Sequence, residues 1–223
     1  MLQTLTIKEE TLGLLKTLMC DENLGQFYLV GGTALALYMG HRKSVDLDLF
    51  SQQLIDVKEL ENYLNHTYGF ITDRQSEATL IGYINSVKVD CIRYPYPLVE
   101  QAQVNDGIRM YSMPDIAAMK LSAISQSGRR LKDFVDVAFM STKISLEDML
   151  NAFEKKFPNT SVMSAVRGIT YFDDIDFTVE IALTDGNFKW KSIEKRLKEM
   201  IKYSDRIFPQ MVFNNVTGTK SKK

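Results

Sequence analysis

The stretch LVGGTALALYMGHRKSVDLDLF, residues 29–50, decides the fold of this chain. The apolar run Phe27–Val30 predicts a short buried strand, and Gly31 and Gly32 interrupt it before a short apolar helix. A glycine pair at a strand–helix junction turns backbone N–H groups toward one point, where the helix dipole adds positive potential. Together with the Thr33 hydroxyl, the junction predicts a site for phosphate groups, although an ordinary tight turn has the same pattern.

Two aspartates follow in a segment whose residues alternate between polar and apolar. Ser44–Phe50 predicts a strand at period two, so the side chains of Asp46 and Asp48 leave one face. The opposite face is expected to be buried and carries Val45, Leu47 and Leu49. Neighbouring carboxylates repel each other unless a cation lies between them, and Mg²⁺ prefers such oxygen ligands together with substrate phosphates. A solvated strand edge explains this pair of aspartates equally well when it is taken alone.

A third aspartate interrupts the apolar strand predicted over Val87–Arg93. Burying Asp90 there without a partner is costly, and a metal ion shared with Asp46 and Asp48 would supply the partner. Three carboxylates can hold two metal ions, which stabilise the attacking and the leaving oxygen of a phosphoryl displacement. We therefore predict that the three aspartates converge on two Mg²⁺ or Mn²⁺ ions. A position of Asp90 on the opposite side of the sheet would exclude this arrangement.

A lysine and an aspartate in the second half of the chain are both predicted to face inward. Lys120 is centred on an apolar helical stripe, where a lysine must snorkel to solvent or find an anion. The triphosphate of a nucleotide is a suitable anion, and a buried structural ion pair is the alternative. Asp136 is flanked by apolar residues on the next helix, where it would orient Lys120 or contact the nucleotide. A surface ion pair between Lys132 and Asp136 is equally compatible with their spacing.

The remaining pattern divides the chain into a half with strands and helices, 1–112, and a half with helices alone, 113–223. We predict an α+β fold in which a mixed sheet forms the core and the helical half closes a cleft. The first helix is expected to open with a capping box from Thr6 to Glu9, and the polar tail 217–223 is expected to be disordered. Further strands are predicted over 78–85 and 108–111, and helices over 6–19, 33–39, 57–68, 114–126, 131–141, 145–156, 160–171 and 189–206.

Composition excludes several classes of protein. The hydrophobic fraction of 45% and the charged fraction of 25% are ordinary for a globular domain. The 27 basic and 28 acidic residues leave a net charge of −1, so a nucleic-acid partner would need a local basic patch. Cys20 and Cys91 have no metal or redox spacing and predict free thiols in a reducing compartment. Because no stretch approaches the ~18 apolar residues of a membrane span and no signal peptide is found, we expect a cytoplasmic protein without a membrane partner.

Taken in order, these segments resemble the AbiEii/AbiGii-like nucleotidyltransferases, a family that includes the toxin of a bacterial toxin–antitoxin and phage-defence system. The resemblance rests on LVGGTALALYMGHRKSVDLDLF at 29–50, VKVDCIRYP at 87–95 and MPDIAAMKLSAISQSGRRLKDFVDVAF at 113–139. The segment YFDDID at 171–176, followed by Trp190, is similar to the C-terminal region of the family. The combination GG-T, RxSxDxD and KxxA…KDxxD in that order is specific, whereas each motif alone is not.

The resemblance implies the DNA polymerase β-like nucleotidyltransferase fold and a reaction in which an acceptor hydroxyl takes a nucleotide from a nucleoside triphosphate. It implies metal binding by Asp46 and Asp48, with Asp90 as the third acid that helps to activate the acceptor. It also implies that residues from both halves of the chain contact the nucleotide: Gly31, Gly32, Thr33, Arg42, Ser44, Lys120, Lys132 and Asp136.

Family members transfer nucleotides to RNA, including the acceptor end of tRNA, so the resemblance implies an RNA acceptor and a cognate antitoxin as partners. A small-molecule or protein acceptor is the alternative within the enzyme class. A catalytically silent module that only binds nucleotide or a partner is the alternative outside it.

The chain departs from the family pattern at one position, and four of its lysines form a possible RNA-binding surface. Family members usually carry an arginine seven residues after the motif lysine, where this chain has Ser127, and we predict that Arg129 or Arg130 replaces it at the phosphate side of the cleft. Four lysines share one helical stripe that should border the cleft if the acceptor is RNA, although a solvated helix face is favoured on pattern alone. They are Lys191, Lys195, Lys198 and Lys202.

Overall fold

A mixed sheet of seven strands forms the centre of the computed structural model, which describes residues 1–213. The strands are β1 Tyr28–Val30, β2 Leu47–Ser51, β3 Ile71–Ser76, β4 Thr79–Ile84, β5 Val87–Arg93, β6 Gln103–Asn105 and β7 Ile108–Met110. Their order across the sheet is β3-β4-β5-β2-β1-β7-β6. The predicted strands near residues 28, 47, 79, 87 and 108 are therefore confirmed, whereas β3 and β6 are additional edge elements.

Eight α-helices complete the described part of the chain. They are α1 Glu9–Cys20, α2 Gly31–Met39, α3 Val57–Tyr68, α4 Met113–Gln126, α5 Leu131–Met140, α6 Leu146–Lys156, α7 Val162–Gly168 and α8 Trp190–Lys202. Since every named strand ends before residue 112 and the named elements after it are helices, the predicted α+β fold with a mixed sheet and a helical second half is confirmed. Among residues 1–213, no helix combines the length and the apolar content needed to cross a membrane.

The centre of the sheet brings together strands that are distant in sequence. β2 pairs with β1 in antiparallel orientation and with β5 in parallel orientation. β4 and β5 form a hairpin whose two turn residues, Asn85 and Ser86, have φ angles of 48° and 66°. Both residues thus occupy the left-handed region, as in the type I′ turns that match the twist of paired strands.

The helical half packs on the sheet half through α2, which contacts both α4 and α5. α4 begins at a polar cap in which the Ser112 hydroxyl donates to Asp115 Oδ2 at 2.6 Å and accepts from the Asp115 N–H at 3.2 Å. α4 also contacts α6 and α7 and so lies at the centre of the helical half. A division of the chain into two units at residue 112 stays a prediction, and the predicted tail 217–223 lies outside the described residues.

The predicted capping box is wrong, and the predicted start of β2 lies three residues too early. The capping box does not form, because the Thr6 hydroxyl donates to the Gln3 carbonyl at 2.7 Å. α1 begins only at Glu9, and the side chain of its N-cap residue, Lys8, makes no capping hydrogen bond. The strand predicted over Ser44–Phe50 begins at Leu47, and Val45 is 47% exposed instead of buried. The chain before Leu47 follows a different path, since Ser44 forms an isolated bridge with Ile7.

Candidate active site

Two of the predicted acids lie side by side on the sheet. Asp48 in β2 and Asp90 in β5 are partners in the parallel register, so their side chains leave the same face. Asp90 therefore does not lie on the opposite side of the sheet from Asp48, and this pair can share a cation. Burial raises the pKa of the Asp48 carboxyl to about 6, and the neighbouring Asp90 charge contributes in the same direction.

A lysine side chain forms an ion pair with one of these acids. Lys88 Nζ lies 2.7 Å from Asp90 Oδ1 and 2.6 Å from Oδ2. Burial lowers the pKa of Lys88, but its hydrogen bond to Asp90 and the charges of Asp90, Asp46 and Asp48 raise it above its ordinary value. The three carboxylates thus act electrostatically on one cation, although Lys88 was not among the residues singled out from the sequence.

The third acid lies outside the paired strands. Asp46 precedes β2 and is partly exposed. Within residues 1–213, the side chains include no group of three His, Cys, Asp or Glu residues arranged to hold a metal ion. The structure therefore pairs Asp48 with Asp90 in adjacent strands, and the assignment of all three aspartates as metal ligands stays a prediction.

The glycine pair allows the sheet and the helix to approach each other closely. α2 begins at Gly31, whose φ angle is 67°, so the pair forms the first turn of the helix and not a separate loop. A methyl group on Gly31 would overlap Asp48 Oδ2, and one on Gly32 would overlap the guanidinium group of Arg42. The helix N-terminus therefore lies against both an acid and a cation of the site.

Thr33 and Ser44 have a structural role that the sequence did not indicate. Thr33 is 1% exposed, and its hydroxyl contacts the Asp46 carbonyl oxygen and lies 2.8 Å from Ser44 Oγ. We predicted that the Thr33 hydroxyl would meet a phosphate directly. In the structure the hydroxyl is bonded internally and fixes the segment that leads to the first two acids, and its contact with a phosphate stays a prediction.

One buried carboxylate organises the cationic side of the site. Asp136 is fully buried and accepts from Arg42 Nε at 2.7 Å and from Arg42 Nη2 at 2.9 Å. It also lies 2.8 Å from His41 Nε2 and 2.8 Å from Lys120 Nζ. Although burial raises the pKa of Asp136, the Arg42 and Lys120 charges hold it well below its usual range. Asp136 therefore orients Arg42 and Lys120 and is not exposed for direct contact with a nucleotide.

Lys120 forms the buried ion pair that was the alternative interpretation of its sequence position, and its contact with a triphosphate stays a prediction. Its Nζ lies 2.6 Å from Asp133 Oδ1 as well as 2.8 Å from Asp136 Oδ2, and the residue is 6% exposed. Burial lowers the pKa of Lys120, but the two carboxylates raise it above its ordinary value and keep the ammonium charged. Lys120 is thus part of a buried ion pair and also lines the cleft described next.

The cleft has a volume of about 240 Å³ and runs along one side of α4. One part of its wall is polar and is formed by Gly31, Gly32, Asp48, Lys120, Arg130 and Asp133. Another part is apolar and is formed by Phe50, Tyr94, Ile116 and Met119. The cleft therefore combines two carboxylates, two cations and a helix N-terminus with a neighbouring aromatic wall.

Arg130, and not Arg129, takes the position predicted for the missing arginine. It precedes α5, lines the cleft, and has its Nε 3.6 Å from Asp133 Oδ2 while its side chain stays 70% exposed. Its charge lowers the pKa of Asp48 against the effect of burial. The guanidinium group is thus free to turn toward an anion in the cleft.

Asp133 is a site residue that the sequence analysis named only as part of a motif. The Lys-Asp-x-x-Asp spacing was the available signal, because it places Asp133 and Asp136 three residues apart on one side of α5. Lys132 points elsewhere: it forms no ion pair with Asp136 and does not line the cleft. The alternative interpretation of Lys132 and Asp136 as a surface ion pair is wrong, because Asp136 is buried against Arg42 and Lys120.

The lysine stripe on α8 forms a separate surface. Its four lysines line a shallow depression that shares no residue with the cleft. Lys198 Nζ lies 2.6 Å from Glu194, and Lys195 Nζ lies 3.8 Å from Glu199. Because glutamates pair with two of the four lysines, the stripe is only weakly positive. None of the four lysines is among the residues that line the cleft, at whose mouth they were predicted to lie.

The fold defined by this sheet and cleft is that of the DNA polymerase β-like nucleotidyltransferases. The structure of MenT4, a nucleotidyltransferase toxin from Mycobacterium tuberculosis H37Rv, has a TM-score of 0.57 at 14% identity and covers 80% of this chain and 75% of that chain. JHP933 from Helicobacter pylori has a TM-score of 0.53 at 16% identity and covers 89% of this chain and 93% of that chain. At these identities the likeness shows the fold alone.

The chain belongs to the AbiEii family of nucleotidyltransferase toxins. The family described as "Nucleotidyl transferase AbiEii toxin, Type IV TA system" matches residues 13–166. An uncharacterised protein of Aquifex aeolicus (strain VF5) is 32% identical over 182 residues, which cover 79% of this chain and 86% of that protein. The resemblance inferred from the motifs is thereby confirmed, and nucleotidyl transfer is the class of activity that the family defines.

Proposed function

We propose that this chain transfers a nucleotide from a nucleoside triphosphate to a hydroxyl group of an RNA, with the help of divalent metal ions. The observation that carries the proposal is the cleft that Asp48, Lys120 and Arg130 line together with the N-terminus of α2. A polyphosphate needs cations and helix N–H groups, and a phosphoryl transfer needs acids at the reacting phosphorus. The cleft offers both within one small volume.

The acids fit a divalent cation. Asp48 and Asp90 are adjacent on one face, and Lys88 already occupies the position of a cation on Asp90 under the influence of all three carboxylates. Asp48 and Asp90, with Asp46 beside them, would hold two Mg²⁺ or Mn²⁺ ions once Lys88 moves aside. Such ions supply charge stabilisation at the attacking and leaving oxygens of the transfer.

The other residues of the cleft bind and orient the triphosphate. Lys120 and Arg130 contact the β- and γ-phosphates, and Asp136 holds Lys120 in place. The acceptor hydroxyl attacks the α-phosphorus in line with the departing pyrophosphate; the new P–O bond forms as the bond to the leaving oxygen breaks, and the hydroxyl proton passes to a carboxylate such as Asp90. This division of labour follows the general pattern of phosphoryl transfer, in which positioning and charge stabilisation dominate.

Membership in a family described as the toxin of a Type IV toxin–antitoxin system supports a toxic activity and a cognate antitoxin as partner. The RNA acceptor rests on the family resemblance. The paired lysines on α8 give it little independent support. A small molecule or a protein is the competing acceptor, and the experiment below separates these classes.

The test is incubation of the purified chain with each α-labelled nucleoside triphosphate, Mg²⁺ and total RNA, with self-labelling and pyrophosphate release followed in parallel. We expect label in RNA, with stoichiometric pyrophosphate, and loss of both in the Asp48→Asn variant. Asp106→Asn is the matched control, because Asp106 is an exposed turn residue with a φ angle of 51° that asparagine tolerates. Pyrophosphate release without labelled RNA would reject the RNA acceptor, and absence of release with every acceptor would reject the transfer itself.

A further inference from the structure

The face of the sheet that carries the acids continues into two aromatic residues. Phe50 comes two residues after Asp48 in β2, and side chains two apart in a strand leave the same face about 7 Å from each other. Phe50 pairs in register with Ile92, and Tyr94 follows at the end of β5. The Phe50 and Tyr94 rings have centroids 5.1 Å apart and planes tilted by 46°. Both are half-buried and line the cleft that contains Asp48.

The loop that begins at Tyr94 is fixed by buried charges. Lys156 Nζ donates to the Pro97 carbonyl at 2.9 Å and to Asp115 Oδ1 at 2.7 Å. Asp115 also accepts from the Val99 N–H at 2.9 Å, and the side chains of Lys156 and Asp115 are 0% exposed. Charged groups this deeply buried are costly unless paired, so their pairing ties the loop to α4 and α6. Tyr94 is therefore held in a defined position at the cleft.

The two parts of the cleft wall differ in chemistry, with Asp48 at their boundary. Gly31 approaches Asp48 from the N-terminus of α2, and the cationic groups of Lys120 and Arg130 belong to this polar part. On the other side of Asp48 along β2 begins the aromatic part. A ligand that fills the whole cleft is therefore anionic at one end and flat and apolar at the other.

We propose that Phe50 and Tyr94 form the binding site for the nucleobase of the incoming nucleoside triphosphate. This inference rests on the proposed nucleotidyl transfer and adds the location of the base. In a nucleoside triphosphate a ribose joins the base to the α-phosphate, and the step of about 7 Å from Asp48 to Phe50 leaves room for that sugar. Because every base has a flat face, stacking on aromatic rings binds all four bases with little selectivity.

The acceptor is the competing occupant, since an RNA also carries bases. The aromatic and the cationic parts line one continuous cleft of about 240 Å³. The nucleoside triphosphate joins a base and a polyphosphate in one small molecule, and so matches both parts at once. An acceptor strand would use the aromatic part alone, and it would not account for the presence of the cationic part in the same cleft.

The test compares two ligands that differ only in the presence of the nucleoside. Dissociation constants for each nucleoside triphosphate and for inorganic tripolyphosphate are measured by calorimetry with Mg²⁺, for the wild-type chain and the variants Tyr94→Leu and Phe50→Leu. Leucine keeps an apolar side chain for packing but removes the aromatic face, and Tyr94→Phe is the matched control. We expect each leucine variant to raise the Kd of every nucleoside triphosphate about 5- to 100-fold, with the Kd of tripolyphosphate unchanged.

The tripolyphosphate measurement also reports on the cationic part of the cleft, which the inference expects both leucine variants to leave intact. An unchanged nucleoside triphosphate Kd in both leucine variants would overturn the inference, and so would an equal loss for both ligands. A rise confined to the KM of the acceptor would assign the aromatic pair to the acceptor instead and equally overturn it. A wild-type chain that binds nucleoside triphosphates but releases no pyrophosphate would reject the proposed function while leaving the base site supported.

Discussion

The carboxylate of Asp136 receives Arg42, His41 and Lys120 at one point that is closed to solvent. The bidentate contact with Arg42 fixes the guanidinium plane, which in turn lies against Gly32 at the N-terminus of α2. A single side chain thus sets the relative positions of α5, α2 and α4 beside the cleft. Its contribution is to geometry, because the residue itself does not reach the cleft surface.

Replacing Asp136 with asparagine is expected to lower the free energy of unfolding by about 3–5 kcal/mol, because it leaves buried cations without their counter-charge. Urea denaturation measures the loss. Glu199→Gln is the matched control: the Lys195–Glu199 pair joins exposed side chains 3.8 Å apart, and exposed pairs contribute about 0–1 kcal/mol. Similar losses in the two variants would contradict the organising role of Asp136.

The same carboxylate predicts a dependence of stability on pH. Its pKa in the folded chain lies well below the ordinary 3.8, so the ionised form stabilises the fold at any pH above that value. As the pH falls below about 4 toward the folded pKa, this contribution is lost. We expect the difference in unfolding free energy between wild-type and Asp136→Asn chains to be constant at neutral pH and to shrink below pH ~4. A difference that stays constant to pH ~2 would show that another interaction causes it.

Arg130 allows binding to be separated from stability. Its side chain is 70% exposed, so Arg130→Ala is expected to change the free energy of unfolding by less than about 0.5 kcal/mol. Loss of a charge-assisted contact to phosphate should nevertheless raise the Kd of tripolyphosphate about tenfold. Arg129→Ala is the control, since Arg129 does not line the cleft. A stronger effect from Arg129 than from Arg130 would reverse the assignment.

At the level of single residues, the sequence predicted those whose environment depends on the local pattern. The apolar surroundings of Lys120 and Asp136 placed both side chains correctly on inward faces, and the alternation placed Asp48 correctly on the face opposite Leu47 and Leu49. The sequence analysis did not predict that Lys88 would bind Asp90, although the two residues lie two apart on one face of β5 and the ammonium group is a suitable partner for the carboxylate. Tyr94 was missed because a residue in a proline-containing loop has no periodicity to indicate where its ring points.

The elements differ in how far local sequence specifies them. α3 was predicted over 57–68 and is observed as Val57–Tyr68. Both of its ends carry their own signals: Asp56 accepts a hydrogen bond from the Glu59 N–H at 3.0 Å, and Gly69 continues the chain with a φ angle of 66°. β3 has neither alternation nor buried apolar residues, and it becomes a strand only through its pairing with β4.

The turn of the β4–β5 hairpin offers a stability prediction at this level. Ser86 has a φ angle of 66°, where glycine is tolerated without steric cost and other residues are strained. Ser86→Gly is therefore expected to stabilise the chain by about 0.5–1 kcal/mol, whereas the β-branched Ser86→Val should destabilise it by at least as much. Thermal unfolding of the two variants should give midpoints on opposite sides of the wild-type value. A shift in the same direction for both would show that the turn conformation does not limit stability.

For the whole molecule, the charge distribution bears on how an acceptor approaches. Lys195 and Lys198 on α8 pair with glutamates of the same helix, and none of the four lysines lines the cleft. We therefore expect simultaneous charge reversal of Lys191, Lys195 and Lys198 to leave RNA labelling and its salt dependence unchanged. Three lost phosphate contacts would instead make the slope of log affinity against log salt less steep by roughly 2. Labelling of RNA by the triple variant at two salt concentrations decides between these results.

The parallel pairing of β2 with β5 also determines when the site can exist. The strands are joined through α3, β3 and β4, so Asp48 and Asp90 meet only after this whole excursion has been synthesised and folded. The contact between Arg42 and Asp136 spans 94 residues and completes still later. A ribosome making this chain from its N-terminus therefore carries an inactive product until the second half has emerged. For a member of a toxin family, that delay separates synthesis from activity in time without any inhibitor.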